Sequence, residues 1–509
     1  MSRRRSVSLA LFAAYAAWCG VMFLFHEPWR DEVQSWLLVR DLDFVTLLSQ
    51  LRYDGHPAGW FLLLWPLAKL GLPFTAERVL HLVIVLSAAW IVCFKTRRLF
   101  LKVFILAATP MMYELSALAR NYALSALALL IMAACHRERF GRRLIITCVC
   151  MFFLINSNIY GTIAGIALAG GDMLFLLRKR ERKENATGLA VYFITAAVSF
   201  FCVWLVVFSD VFLRVNPVPL YPGAHFSFIQ NYGFSLRRVY DAFYRVGSAA
   251  VFGALPAHVR QFLKGLPQSV FTLGCTLLTL CAVYGAVLNA RKAATRLWIA
   301  AVGLAMYAGT VLAVTVTGIF NIRHGVPLVF VLVYLWQTAL AEREEDPARF
   351  PAPLRAAGLF AAVCVFAGAF ALNAYRAGLD IRGPYSAGEA AAAFLRDGGY
   401  DTEDTLVLAT DHPQVSTVLG FTGHIKTFRF VYGDFSYVPW QVYASAYERS
   451  FSLPDFIRAQ RGENGDTGRA ILFIAKRGDL TGFDGFPVIF DSGEDGLITD
   501  EAYMILRVD

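Results

Sequence analysis

Apolar residues in this chain fall in long unbroken runs rather than alternating with polar ones. Val7 to Phe25, Leu189 to Phe208 and Leu297 to Thr317 contain no charged residue, and each approaches the roughly 20 residues that cross a bilayer as a helix. Porin-type barrels alternate in segments of about ten residues, so the pattern predicts an all-α polytopic membrane domain. Crossings are expected near residues 7 to 25, 77 to 94, 100 to 116, 120 to 135, 144 to 158, 159 to 177, 188 to 208, 267 to 288, 297 to 318, 324 to 341 and 355 to 375, about eleven helices. The apolar stretch from Pro57 to Gly71 is left out of that count. It is short and carries Pro57, Pro66 and Lys69, which suits an interfacial or re-entrant helix.

Composition agrees. Of 509 residues 57% are hydrophobic and 17% charged, against roughly 25% charged in soluble domains. The net charge of +9 comes from short basic loops rather than one basic face, so no nucleic acid partner is expected. Clusters at Lys95/Arg97/Arg98/Lys102, Arg137/Arg139/Arg142/Arg143, Arg178 to Lys183, Arg291/Lys292/Arg296 and Arg343/Arg349/Arg355 all belong in the cytoplasm by the positive-inside rule. With 57 to 71 demoted that condition is met. The N-terminus, with Arg3 to Arg5 before an uncleaved anchor, is then cytoplasmic, in an inner membrane. The outer regions are loop 26 to 76, loop 209 to 266 and the tail. The nine cysteines sit in or beside apolar runs; the Cys148/Cys150 pair reads as packing rather than a metal site.

The chain therefore divides into a membrane domain, 1 to 375, and an extracytoplasmic tail, 376 to 509. The tail reads as a small α/β domain, with a helix from Ser386 to Arg396 and strands at 405 to 409, 470 to 475, 487 to 490 and 502 to 508. By itself it reads as an accessory cap. Loop 209 to 266, with Tyr221, Tyr232, Tyr240 and Tyr244, and the tail are the outer regions expected to meet any further binding partner.

The first outer loop holds the most chemistry. Glu27, Asp31, Glu32, Asp41, Asp43 and Asp54 lie among Arg30, Arg40, Arg52 and His56. Val33, Trp36, Leu37, Phe44, Leu47, Leu48 and Leu51 recur at roughly helical spacing, which predicts an amphipathic helix along the membrane surface. A carboxylate at such an interface, beside an arginine, can act as general base on a hydroxyl; alternatively Asp31 and Glu32 only charge the first turn of the helix. Arg120, with Asn121 and Tyr122, and the Arg323-His324 pair interrupt apolar segments on the outer side. Ionisable groups at that depth are functional candidates, and arginine grips two oxygens of a phosphate; a structural Glu114–Arg120 pair is the other reading. His56-Pro57 can hold a phosphate or a carboxylate. Trp29, Trp36 and Trp60 suit either sugar stacking or an interfacial belt.

Arg-Asp-Glu at 30 to 32, His-Pro-Ala-Gly-Trp-Phe at 56 to 61, Ala-Arg-Asn-Tyr-Ala-Leu at 119 to 124 and the Arg323-His324 hairpin with Pro327 occur in that order. The combination resembles the GT-C superfamily of membrane glycosyltransferases, and within it the bacterial relatives of family 39, which includes protein O-mannosyltransferases and the aminoarabinose transferase of lipid A. The resemblance spans about residues 1 to 375, with two departures: Ala58 in a usually His-Pro-Pro motif, and His324 where an aromatic is more usual. It implies a polyprenyl-phosphate-linked sugar as donor and inverting transfer to a hydroxyl acceptor on the extracytoplasmic face. Asp31 would then be the catalytic base, with Glu32 as support or alternative base. His56, Arg120, Arg323 and His324 would hold the donor phosphate, and Arg30, Asp54 and Tyr122 would contact substrate. No cofactor is expected; the loop's carboxylates are compatible with a divalent metal, but the family-39 resemblance argues against one. A transporter or flippase of lipid-linked sugars is the rival reading, and a non-catalytic scaffold descended from such an enzyme is another.

Overall fold

A computed structural model describes residues 3–174, 186–215, 235–252, 268–318, 322–343, 370–409, 413–430, 433–438, 453–464, 470–477, 486–493 and 501–508. The chain is mostly helical and ends in a small β-sheet. Ten helices open it: α1 (Arg3–Phe25), α2 (Arg30–Asp41), α3 (Phe44–Asp54), α4 (Gly59–Lys69), α5 (Thr75–Lys95), α6 (Leu99–Ala108), α7 (Glu114–Ala117), α8 (Tyr122–Cys135), α9 (Leu144–Ser157) and α10 (Ile159–Asp172). Later helices are named by their bounds.

Among the described residues five helices are long and apolar enough to cross a bilayer: Arg4–Phe25, Thr75–Lys95, Ala186–Phe208, Ala293–Thr317 and Arg323–Glu342. Several expected crossings are shorter. The run expected at 100 to 116 stops as a helix at Ala108, before the Thr109-Pro110 step where the chain turns, because the residue ahead of a proline disfavours helical backbone. The runs at 120 to 135 and 144 to 158 are helices of 14 residues each. At 1.5 Å per residue these reach about 21 Å, less than the roughly 30 Å hydrocarbon layer. Most of the run at 355 to 375 lies outside the described residues, as do Tyr221 and Tyr232. Helix α4 has only 11 residues, and Lys69 at its end donates to the Arg40 carbonyl at 2.9 Å, bringing the chain back beside α2.

The helix ends sort by chemistry. Gln337 donates to Thr96 and Lys102 to Ser8, Arg137 donates to the Ala341 carbonyl, and Glu342 accepts from the main chain at Arg291 and Lys292. The basic loops among the described residues thus gather at one end of the bundle. The first loop, the 119–122 turn and Arg323 gather at the other.

The first loop departs from the single surface helix expected. Asp43 breaks it by capping α3, accepting from Val45 and Thr46 main-chain nitrogens at 3.0 and 3.1 Å. The preceding helix, α2, is buried within the chain continuously from Glu32 to Val39, rather than presenting one apolar face outward. Its polar side is covered by the tail. Gln34 exchanges two hydrogen bonds with Val438 main chain, Arg40 donates to the Leu419 carbonyl, and a Cβ on Gly420 would stand 2.6 Å from Val33 Cγ1.

All four expected strands form, with two more. The sheet order is β3-β2-β1-β4-β6-β5, comprising β1 (Leu406–Ala409), β2 (Phe428–Phe430), β3 (Gly433–Phe435), β4 (Ile471–Lys476), β5 (Val488–Asp491) and β6 (Tyr503–Arg507). Strand β1 is parallel to β2 and β4, and the other pairs are antiparallel. Period-two alternation divides β4: Leu472 and Ile474 face the core that continues through Val418 and Leu419 into α2 and the membrane helices, while Ile471, Phe473 and Ala475 pack with Ile457. The expected helix at 386 to 396 is Gly388–Asp397. The sheet is therefore packed into the same core as α2.

Candidate active site

Three chain segments converge on α2. The first is α2's own N-terminal turn. The second is the turn before α8, which carries Arg120. The third is the short helical turn Ile322–Gly325 after Gly318, whose φ of +67° ends the helix Ala293–Thr317 in the left-handed conformation that glycine adopts without a Cβ penalty. Gly55, at φ +71°, does the same after α3 and turns the chain to present His56.

Asp31 is the centre of this cluster. Arg323 Nη2 lies 2.7 Å from its Oδ2 and Arg30 Nε 3.6 Å from its Oδ1, while Arg120 donates to its main-chain carbonyl. Burial alone would raise the Asp31 carboxyl, but Arg323, Arg120 and Arg30 together hold it well below the usual carboxylate range. Arg120 also reaches Ser35 Oγ at 3.5 Å and His56 Nε2 at 3.2 Å. A guanidinium cannot accept, so Nε2 must be the acceptor and His56 neutral. Burial and the Arg120 charge push its pKa down to about 3, consistent with that tautomer. Asp54 is 3.9 Å from the same nitrogen. The His324 ring stacks on Tyr160 at 5.1 Å and meets Tyr122 at 5.8 Å. Trp29 lies beneath the guanidinium of Arg323 at 4.6 Å and near that of Arg30 at 5.5 Å.

The structure thus brings together Asp31, Arg30, His56, Asp54, Arg120, Tyr122, Arg323 and His324. Glu32 faces elsewhere. Its Oε1 accepts the Ala119 N–H at 2.6 Å; its Oε2 meets His26 Nε2 at 3.0 Å and the Trp29 N–H at 3.3 Å. Both oxygens are engaged and the side chain is wholly buried, unlike that of Asp31. Glu32 fixes Ala119, and with it the following Arg120, against the turn that carries Asp31. The alternative Glu114–Arg120 pair does not form, because Glu114 pairs with Arg376, leaving Arg120 to the cluster. Trp29, Trp36 and Trp60 are buried rather than arranged as a belt.

Sequence reading missed the groups behind Glu32. His26 Nδ1 lies 2.9 Å from Asp380 Oδ2, and Tyr113 donates to the same oxygen at 3.1 Å. The signals in the sequence were a histidine directly after the first apolar run and an aspartate just beyond the last, but no local pattern joins residues 354 positions apart. The tail adds Glu501, which accepts the Arg30 N–H at 3.1 Å at the start of α2. Among the described residues no group of three or more His, Cys, Asp or Glu side chains is arranged to hold a metal.

These groups set a pH dependence. Burial alone would lower the His26 pKa, but Glu32 and Asp380 on either side raise it to about 9 from 6.5. Burial raises Glu501 to about 7 from 4.5. Both folded values exceed the unfolded ones, so each contribution is complete below the unfolded pKa and is lost as pH rises through the folded one. The thermal midpoint of the purified protein is therefore expected to fall between pH 4.5 and about 9, through Glu501 in the lower part and His26 in the upper, and His26→Gln should flatten the curve above pH 6.5. An unchanged slope in the variant would refute the assignment.

No protein-family model matches this chain, and no curated protein matches it significantly.

Proposed function

We propose that the protein is an inverting GT-C-type glycosyltransferase that moves a sugar from a polyprenyl-phosphate donor to an acceptor hydroxyl. Its membrane domain would make about eleven crossings, the N-terminus would be cytoplasmic, and the site and tail would face the extracytoplasmic side of an inner membrane. One observation carries the reading: Asp31, a carboxylate with 19% of its side-chain surface exposed, is clustered with Arg120 and Arg323 at the end of the apolar helices away from the described basic loops.

Asp31 accepts the acceptor's proton as its oxygen attacks the anomeric carbon. The bond from that carbon to the phosphate oxygen breaks, and its electron pair leaves with the polyprenyl phosphate. One negative charge passes from Asp31 to the phosphate, and preorganised arginines stabilise charge that develops in this way. Being neutral, His56 contributes by orienting Arg120 rather than by adding charge. A single base suffices, unlike the two carboxylates a glycosidase needs.

The test uses purified protein in nanodiscs with labelled polyprenyl-phosphate sugars, following release of polyprenyl phosphate. Release of that product is expected with at least one sugar. Transport of lipid-linked sugar across a proteoliposome, with no consumption of any donor, would replace the enzyme reading with the transporter.

A further inference from the structure

Arg323 contacts Asp31 through Nη2 at 2.7 Å, while its Nε is buried without a hydrogen-bond partner. The guanidinium fork is thus only half used, although its geometry suits two oxygens held side by side. The Nε of Arg120 is also buried and unpartnered. The pair is accessible: Arg323 and Asp31 keep 16% and 19% of their side-chain surface exposed, against none for His26 and Glu32. Trp29 packs on the guanidinium face at 4.6 Å, so it occupies the face of Arg323 and not its donor edge.

We infer that Asp31 and the phosphate of the ligand compete for Arg323, so that phosphate binding transfers the arginine from the aspartate to the ligand and releases the carboxylate as a base. This rests on the donor reading above. The ligand class is a phosphate ester or phosphate anion that can present two oxygens to the fork. Paired with Arg323, Asp31 is too weak a base to take a hydroxyl proton; without that contact its proton affinity rises. The site therefore activates its base only when a phosphate is in place, which guards against proton removal with no donor bound.

A double-mutant cycle tests the exchange. Binding of farnesyl phosphate, inorganic phosphate and farnesol to the full chain in nanodiscs is followed through intrinsic tryptophan fluorescence for wild type, Asp31→Asn, Arg323→Gln and the double variant, with Asp41→Asn, on the same helix but paired with Arg40, as a charge control. Asp31→Asn is expected to bind farnesyl phosphate about tenfold more tightly than wild type, and the same substitution in the Arg323→Gln background should change affinity less than about twofold. Farnesol should not respond in any variant. An equal gain in both backgrounds, or an equal gain from Asp41→Asn, would reduce the effect to charge repulsion and overturn the exchange; so would no gain. The expected cycle with inorganic phosphate alone would uphold the exchange but assign it to free phosphate. The expected cycle without donor turnover would uphold the exchange and sink only the transferase reading, whereas no binding of either phosphate by any variant would overturn both.

Discussion

Asp31→Asn is expected to lower the rate of donor consumption by about 10²- to 10⁴-fold, the range associated with a positioned general base. The substitution keeps the side chain's shape, so the fall should appear in kcat and not as a loss of donor binding. Arg120, which would hold the phosphate, does not depend on the Asp31 charge for its position: it is fixed by the Asp31 main-chain carbonyl, Ser35 and His56. Glu32→Gln provides the contrast. It can still accept the Ala119 N–H and should retain much of the activity if Glu32 positions rather than reacts. Turnover unaffected by Asp31→Asn would rule out the assigned base.

Glu32→Ala is expected to destabilise the protein by about 3–5 kcal/mol, because removing one carboxylate from a buried charge cluster takes away a partner that its buried neighbours need. His26 would keep a single carboxylate at Asp380, and the Ala119 N–H would lose its acceptor at 2.6 Å. The effect should be seen as a lower denaturation midpoint, together with weaker farnesyl phosphate binding because Arg120 is no longer fixed. His26→Gln in the Glu32→Ala background should recover no stability, since it removes the remaining charged partner of the buried Asp380. A midpoint equal to wild type for Glu32→Ala would show that the buried cluster does not organise this end of the molecule.

Glu32 also shows where reading along the chain stops. Asp31 and Glu32 are adjacent and chemically alike, and the sequence suggested a shared role. Helix geometry separates them, since neighbouring residues on a helix point about 100° apart: one faces Arg323 and the accessible side, the other faces His26 and is sealed from solvent. Likewise the apolar periodicity of Val33, Trp36 and Leu37 identified a helix, but could not show that the tail would cover its polar side through Val438 and Leu419.

By itself the sequence determined that the chain is rich in apolar helices, that it ends in a small sheet-containing region, and that Asp31, Arg120 and Arg323 are exceptional where they stand. These follow from local properties: apolar run length, period-two alternation, and charges interrupting apolar segments. The tertiary structure alone decided which charges meet, that Glu114 takes Arg376 so that Arg120 is left for Asp31, that His26 joins Glu32 to Asp380, and that the tail packs on α2. Pairings between residues hundreds of positions apart depend on how helices and sheet pack around a common core, and no window of the sequence contains that information.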